Sequence, residues 1–178
     1  AKWGTVGFIK SLAEELRGKV EKGARCVKMK IGGAPMSEDV ERVRVARETV
    51  GPDVGLMIDA NNAYTVVDAI RLAQRVEKYE PFWFEEPIHA DDYQGLAKLR
   101  AATSIPLATG ENEYTRYGFR DLIASGGTDI IQADATLTLD PGMHAFSARA
   151  WDMDMNASTT AVLLRVYNDG QPPHIQVA

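Results

Sequence analysis

Short, almost wholly apolar segments alternate along this chain with longer segments in which apolar residues recur every three or four positions. The longer segments have the period of a helix with one buried face. Five of them are predicted helices: 8–22, 38–50, 66–79, 92–102 and 115–125. Five of the short segments are predicted strands: 25–31, 55–59, 82–85, 107–110 and 128–132. Strands without a polar face are typical of a parallel sheet that helices cover, so the pattern predicts an α/β fold.

From about residue 137 this alternation stops. The remaining segment contains a predicted helix near 142–151 and one apolar run, AVLLRV, but no further strand that ends in a carboxylate. The strand–helix units fit an open doubly wound sheet or a (β/α) barrel, and a complete barrel takes about 250 residues. We therefore predict one partial barrel domain over 1–178, with clear units to about residue 136 and a divergent or incomplete part over 137–178.

A charged residue stands at or just beyond the end of each predicted strand. These residues are Lys30, Asp59, Glu85, Glu111 and Asp134, separated by 29, 26, 26 and 23 positions. Each interval fits one strand plus one helix, so the charged side chains are expected at the same edge of a parallel sheet. Chemical groups at the ends of five successive strands favour a TIM-like barrel, because an open sheet gathers its ligands at one switch point.

Three of these charged residues, Asp59, Glu85 and Glu111, are carboxylates on consecutive strands and are expected to converge on one point. Hard oxygen donors that leave room for water and a substrate carboxylate suit Mg²⁺ better than Zn²⁺. The alternative is that they cap helices or lie exposed in loops, but three in register beside two lysines favour a metal site. Glu86 is expected to point to the opposite face, in a supporting or structural role.

Lys28 and Lys30 are two positions apart on the first strand, so both side chains are expected to face the barrel interior. Burial, mutual repulsion and a nearby divalent cation would each lower their pKa values, and a lysine that is neutral near pH 7 can remove a proton. The alternative is that both reach into water from the strand end. Asp134 is expected to orient a catalytic histidine or to bind a substrate hydroxyl, unless it is a simple turn aspartate.

Composition excludes several classes of function. The chain of 178 residues carries a net charge of −5 and so lacks the basic surface typical of nucleic-acid binding. The sequence contains no run of about 18 apolar residues, so it predicts no membrane-spanning helix. The first residues lack the features of a signal peptide. The only cysteine, Cys26, fits a reducing compartment, so we predict a cytoplasmic protein. Its place in an apolar strand predicts a buried position.

The segments KMK, MIDANN, FEEP, GEN and QADA, in this order and spacing, resemble the enolase superfamily, in its branch of proteins like mandelate racemase and muconate lactonizing enzyme. The resemblance extends from about residue 1 to 136. It implies a modified (β/α)7β barrel of the TIM type, and it places Asn61 beside the metal or the substrate. It further implies that Mg²⁺ is held by Asp59, Glu85 and Glu111.

The same resemblance implies roles for the acid and base residues. Lys30 would abstract the proton, while Lys28 would tune its pKa and contact the substrate carboxylate. Asp134 would belong to an Asp–His dyad on the opposite face of the substrate. Ala161 occupies the position at which the family's histidine is expected, so His174 is the candidate partner.

Two other histidines have weaker assignments. His89 follows FEEP in a loop at the active-site end and is a candidate substrate contact, whereas His144 falls in a predicted helix. The N-terminal capping domain of the family would precede Ala1 and is expected to be absent from this chain. Because family members form symmetric assemblies, we expect a homo-oligomer.

The function that the resemblance implies is Mg²⁺-dependent removal of the proton α to a carboxylate, giving an enediolate. Dehydration of a sugar acid is the preferred outcome, because the EEP and GENEYTR segments resemble those of sugar-acid dehydratases. Racemisation or epimerisation of a 2-hydroxy acid is the alternative enzymatic outcome. A Schiff-base aldolase with a nucleophilic lysine and a degenerate, non-catalytic barrel fragment are the remaining hypotheses.

Overall fold

The computed structural model describes residues 2–133 and three later strands, 143–148, 162–167 and 174–177, with side chains described for residues 11–133. The chain separates into two compact units, Ala1–Asp134 and Ala135–Ala178. The first unit contains every strand–helix repeat that the sequence predicts. We describe each unit by itself.

The first unit alternates helices and strands around one parallel sheet. The helices are α1 (Lys2–Glu21), α2 (Met36–Val50), α3 (Val66–Val76), α4 (Tyr93–Arg100) and α5 (Arg116–Ala124). The strands are β1 (Cys26–Lys30), β2 (Gly55–Asp59), β3 (Trp83–Glu85), β4 (Leu107–Thr109) and β5 (Ile130–Ile131). They pair in the order β1-β2-β3-β4-β5, all parallel, so β1 and β5 are the edge strands. The predicted alternation and the parallel sheet are confirmed.

Threonines begin two of the helices that link the strands. The side chain of Thr65 accepts a hydrogen bond from the backbone N–H of Asp68 at 3.2 Å, and that of Thr115 accepts one from Gly118 at 3.1 Å. Each bond satisfies a backbone donor in the first turn that has no partner within its helix.

Among the helices described, none combines the length and the apolar character needed to cross a lipid bilayer.

The two faces of β1 have opposite character. Val27 and Met29 are buried against the helices, whereas Cys26, Lys28 and Lys30 lie on the other, exposed face. Side chains alternate along a strand, so a cysteine two positions before a lysine must share its face. The predicted burial of Cys26 is therefore wrong, because the strand period outweighs the general tendency of free cysteine to be buried.

Asp129 forms hydrogen bonds that connect neighbouring elements at the amino end of the sheet. Its Oδ2 accepts a hydrogen bond from the backbone N–H of Leu107 at 3.0 Å, while Oδ1 receives Arg100 Nε at 2.8 Å. Partial burial alone would raise the pKa of Asp129, but the bonds from Arg100 and Leu107 outweigh it and hold the pKa below 3.8. One carboxylate thus joins the end of α4, the start of β4 and the segment before β5.

Replacing Asp129 by Asn in the full-length protein should lower its free energy of unfolding at pH 7 by about 1–2 kcal/mol. The folded-state pKa is depressed, so the stabilisation is full above the ordinary pKa and is lost as the pH falls through the folded-state value. Urea unfolding at pH 7 and pH 3 should show the difference shrinking in acid. Asp121→Asn, which removes an exposed pair with Arg120, is the control and should change stability by less than about 0.5 kcal/mol.

The second unit contains a three-stranded antiparallel sheet. Its strands are β6 (Met143–Ala148), β7 (Val162–Tyr167) and β8 (His174–Val177), with β7 in the centre. The predicted helix near 142–151 is wrong, and His144 lies in β6. Pairing with the apolar strand β7 supplies tertiary contacts that override a weak local helical preference.

Candidate active site

Three of the predicted site residues lie in one row across the sheet. Lys30 in β1 is paired in register with Asp59 in β2, and Asp59 is paired with Glu85 in β3. All three are the last residues of their strands, so their side chains leave from the same carboxyl edge. The row continues through Ala108 and Ile130, which carry no charge.

Asp59 is the buried centre of this row, with 1% of its side chain exposed. Its Oδ2 lies 2.6 Å from Lys30 Nζ and 3.2 Å from Lys28 Nζ, and its Oδ1 accepts the backbone N–H of Asn61 at 3.1 Å. Burial alone would raise the pKa of Asp59. The bonds from Lys30, Asn61 and Lys28 outweigh burial and lower it, so Asp59 is held as a carboxylate.

Glu85 is equally buried and uses both of its oxygens. Oε1 lies 2.6 Å from Lys28 Nζ, and Oε2 accepts a hydrogen bond from Trp83 Nε1 at 2.9 Å. Sequence reasoning missed Trp83. The available signal was its position two residues before Glu85, which puts both side chains on the same face of β3.

The two lysines remain partly exposed, 40% for the Lys28 side chain and 60% for Lys30. Burial alone would lower the pKa of Lys28, as the sequence predicts, but its contacts with Glu85 and Asp59 raise the pKa above 10.5. The prediction of a lowered pKa is therefore wrong for Lys28 in this structure. The prediction rested on burial and on repulsion between the lysines. It did not include the two buried carboxylates, whose attraction favours the protonated lysine and raises its pKa.

Asn61, predicted to lie beside the metal or substrate, contacts Lys30 through its side-chain oxygen. Asn61 and its neighbour Asn62 both have positive φ angles, 43° and 62°. Asparagine tolerates this left-handed conformation better than most residues. The ANN segment can therefore turn sharply at the end of β2 and return a polar side chain toward the lysine.

Glu111 differs from the other two predicted metal ligands in its position. It lies in the turn after β4, beyond Gly110, and it is exposed. Loss of part of its hydration and the nearby carboxylates of Glu86, Asp59 and Glu85 raise its pKa. Over the described part of the chain, no three Asp, Glu, His or Cys side chains lie close enough together to form a ready metal-binding group.

Glu86 leaves the row of Glu85 and is fully buried. Its side chain accepts hydrogen bonds from Thr109, Gly110 and Asn112, all in the segment that leads to and follows Glu111. Sequence reasoning assigned it a supporting role on the opposite face but missed Asn112. Contacts of this kind join segments distant in sequence, so no local pattern reports them.

The remaining candidates lie outside this cluster or outside the described residues. His89 is exposed in the loop after β3, and its Nδ1 accepts the backbone N–H of Asp91 at 3.3 Å. Asp134 lies outside the described residues. His174 begins β8 in the second unit, and its side chain is likewise not described.

The chemistry of the clustered donors fits a hard divalent cation. Asp59 and Glu85 present side-chain oxygens at neighbouring strand ends, and each accepts a hydrogen bond from a lysine at 2.6 Å. Loss of part of its hydration and then three nearby carboxylates raise the pKa of Glu111, and a cation would offset the charge of these carboxylates. Oxygen donors of this type suit Mg²⁺.

Two curated relatives of this chain are named as sugar-acid enzymes. The chain is 38% identical over 130 residues to the arabinonate dehydratase of Saccharolobus solfataricus, covering 73% of this chain and 35% of that protein. It is 39% identical over 122 residues to the D-galactarolactone cycloisomerase of Agrobacterium fabrum, covering 68% and 32%. The chain thus spans about a third of the length of the curated relatives it matches.

A solved structure of similar fold is the L-talarate dehydratase of a Polaromonas species, which was crystallised with Mg and L-glucarate. It superposes with a TM-score of 0.69 at 32% identity, covering 71% of this chain and 36% of that one. The described sheet is therefore a fragment of a TIM-like barrel domain.

The family match covers most of the first unit. Residues 11–140 match the family described as Enolase C-terminal domain-like. This range includes all five parallel strands, and it confirms the resemblance carried by the KMK, MIDANN, FEEP, GEN and QADA segments. The chain therefore belongs to the enolase C-terminal domain-like family.

Proposed function

We propose that the protein containing this chain is a Mg²⁺-dependent sugar-acid dehydratase that removes the proton α to the substrate carboxylate. The observation that carries the proposal is the row of Lys30, Asp59 and Glu85 at the carboxyl ends of three neighbouring parallel strands, with Lys28 bridging the two carboxylates. Catalytic groups of barrel enzymes lie at this edge.

In this proposal Lys30 is the base and Lys28 is a permanent cation. Lys28 contacts two buried carboxylates, which raise its pKa, so it keeps its proton and can bind a substrate carboxylate. Lys30 contacts the same Asp59 oxygen as Lys28. Asn61 contacts the Lys30 amine through its side-chain oxygen and orients it.

Asp59, Glu85 and Glu111 are the residues that would hold Mg²⁺. When bound, the ion supplies positive charge that stabilises the negative charge developing on the substrate carboxylate. Asp59 and Glu85 are buried and held by hydrogen bonds, so little reorganisation of their positions is needed. Glu111 lies on a turn and would have to join them.

Dehydration also needs an acid that protonates the departing β-hydroxyl. Lys30 takes the proton from C2. The C3–O bond then breaks, and the β-hydroxyl leaves as water after the acid protonates it. The resulting enol tautomerises to a 2-keto-3-deoxy acid. We assign the acid to His174, oriented by Asp134, on the resemblance to the family alone. His89, exposed in the loop after β3, is a second histidine proposed to contact the substrate.

The proposed substrate class is supported by the relatives. The similar proteins are named for arabinonate and for a galactaric-acid lactone, and the Polaromonas enzyme was crystallised with L-glucarate. All are polyhydroxylated carboxylic acids or their lactones. We propose the same class here, handled by a homo-oligomer.

The full-length protein, incubated with Mg²⁺ and a panel of aldonic and aldaric acids in D₂O, is expected to form a 2-keto-3-deoxy acid that carries deuterium at C3. Proton NMR should show the C2 proton disappearing as this product appears, because the enol takes its new hydrogen from solvent. An identical sample with EDTA is the control. Deuterium exchange at C2 without a keto product would contradict dehydration and indicate a racemase or epimerase.

A cycloisomerase is the second candidate function, because one relative with 39% identity bears that name. It would use the same base on a lactone or anhydro sugar acid. Galactarolactone included in the same panel distinguishes the two, since ring opening without loss of water would favour the cycloisomerase.

A further inference from the structure

Glu86 accepts hydrogen bonds from two different segments of the chain. Its Oε1 accepts from Thr109 Oγ1 at 2.6 Å and from the backbone N–H of Gly110 at 3.0 Å. Its Oε2 accepts from Asn112 Nδ2 at 3.1 Å. These three donors bracket the turn that carries Glu111, so Glu86 holds that turn from both sides.

The second segment is the ANN turn after β2. The surroundings of Asn62 place acceptors around its amide nitrogen and donors around its amide oxygen only if the two atoms exchange places; in that orientation the nitrogen donates to Glu86 Oε2 at 2.8 Å and to the Ile88 carbonyl at 2.6 Å. The backbone repeats this link, since Asn62 N donates to the Glu86 carbonyl at 2.7 Å. One residue thus connects the turns that follow β2, β3 and β4.

Packing requirements alone do not explain a carboxylate at this position. Glu86 is fully buried and has a positive φ of 41°, and both features are costly for a glutamate. None of its hydrogen-bond donors among the described residues is a cation. Glu86 therefore serves as the acceptor for four neutral donors from the two flanking turns, which no apolar side chain could do.

The Glu111 turn is confined on its other side by the sheet. Gly110 has φ of 125°, and a Cβ there would lie 2.9 Å from the Gln132 carbonyl oxygen at the end of β5. Only glycine fits this close approach. The turn therefore has two fixed attachments, the backbone contact with Gln132 and the hydrogen bonds to Glu86.

From these contacts we propose that Glu86 is a positioning residue, which fixes the Glu111 turn and the ANN turn so that Glu111 can join Asp59 and Glu85 on a divalent cation. This role rests on the proposed function, because it requires that Mg²⁺ binds at these three carboxylates. Glu86 itself does not touch the ion. It acts through the backbone of Gly110 and the side chains of two asparagines.

The test is Glu86→Gln in the full-length protein. Glutamine keeps the shape of the side chain but replaces one acceptor oxygen by an NH₂ group. That group must then face two hydrogen-bond donors, either those on Oε1 or those on Oε2. Isothermal titration with Mg²⁺ is expected to show binding weakened by about 10- to 100-fold, as for other residues that orient metal ligands. Amide hydrogen exchange of 110–113, measured without Mg²⁺, should be faster than in the wild type.

The matched control is Glu77→Gln. The Glu77 side chain accepts hydrogen bonds from the backbone N–H of Ser104 at 2.6 Å and from the Ser104 hydroxyl at 2.5 Å. Glu77, however, lies at the amino end of the strands. This variant should bind Mg²⁺ like the wild type. Excess Mg²⁺ should restore kcat of Glu86→Gln to within a few-fold of the wild type, which general structural damage would not allow.

The outcomes separate the two proposals. A wild-type protein without Mg²⁺ binding overturns the proposed function and this role with it. Wild-type binding combined with an unchanged affinity in Glu86→Gln overturns the positioning role alone. If Glu86→Gln fails to fold, Asn112→Ala decides the matter, since it removes one donor and should weaken Mg²⁺ binding by about 2- to 10-fold. An affinity equal to that of the wild type would then overturn the role.

Discussion

Replacement of Lys30 by Arg is expected to reduce the rate of α-proton removal by about 10²- to 10⁴-fold, the usual contribution of a general base. Arginine preserves a positive charge beside Asp59, whose Oδ2 lies 2.6 Å from Lys30 Nζ. It does not release its proton in proteins. Any loss therefore reflects the missing base and not the missing charge. The measurement is the rate of C2-proton loss in D₂O, followed by NMR on the full-length protein at saturating Mg²⁺.

Lys98→Arg is the matched control for that experiment. Lys98 is exposed on α4, so its replacement should leave the rate within a factor of about two. Mg²⁺ affinity should also be nearly unchanged in Lys30→Arg. A rate in Lys30→Arg that equals the wild-type rate would remove Lys30 from the role of base and make Lys28 the remaining lysine candidate.

Replacement of Asp59 by Asn is expected to abolish most of the stabilisation that Mg²⁺ gives the protein. At 100 times its dissociation constant, a ligand stabilises the folded state by about 2.7 kcal/mol, and a 100-fold weaker affinity reduces this to about 0.4 kcal/mol. Asp59 is the central carboxylate of the row and has only 1% of its side chain exposed. Differential scanning calorimetry with Mg²⁺ and with EDTA gives the change in Tm for each variant.

The difference between the two conditions is the informative quantity, because Asp59→Asn also removes the partner of Lys30 and shifts the baseline stability. Asp53→Asn, an exposed residue before β2, should retain the full Mg²⁺-dependent rise in Tm. An equal rise in Asp59→Asn would mean that the ion binds elsewhere, and the proposed metal site would be wrong.

Local sequence patterns predicted the parallel sheet well, because its strands are short apolar runs bounded by polar turns. The predicted limits of β2, 55–59, agree with the structure, and Lys30, Asp59 and Glu85 share one register row. Glu111 lies just beyond the end of β4, as the spacing predicts, in the turn after Gly110. A spacing of 26 residues fixes only the total length of strand, helix and loops, so it does not predict that Glu111 is exposed while Asp59 and Glu85 are buried.

Side-chain partners depend on tertiary structure and were less predictable. Trp83 donates to Glu85, and Glu86 receives donors from the turn after β4. Neither contact has a local sequence signal beyond strand alternation. The raised pKa of Lys28 has the same origin, since the carboxylates responsible lie 31 and 57 positions away in sequence. The strand at Met143–Ala148 was likewise not predictable from its own sequence, because its pairing with β7 stabilises it.

The exposed face of β1 gives the protein a built-in chemical reporter. Cys26 is the only sulfhydryl of this chain, and it lies on the same side of the strand as Lys28 and Lys30. It stands about 13 Å upstream of Lys30 along the strand, at roughly 3.3 Å per residue. Whatever covers that side of the sheet in the assembled protein must also shield this sulfur. The rate at which Cys26 reacts with a thiol-specific dye therefore measures closure of the barrel interior without altering any residue of the row.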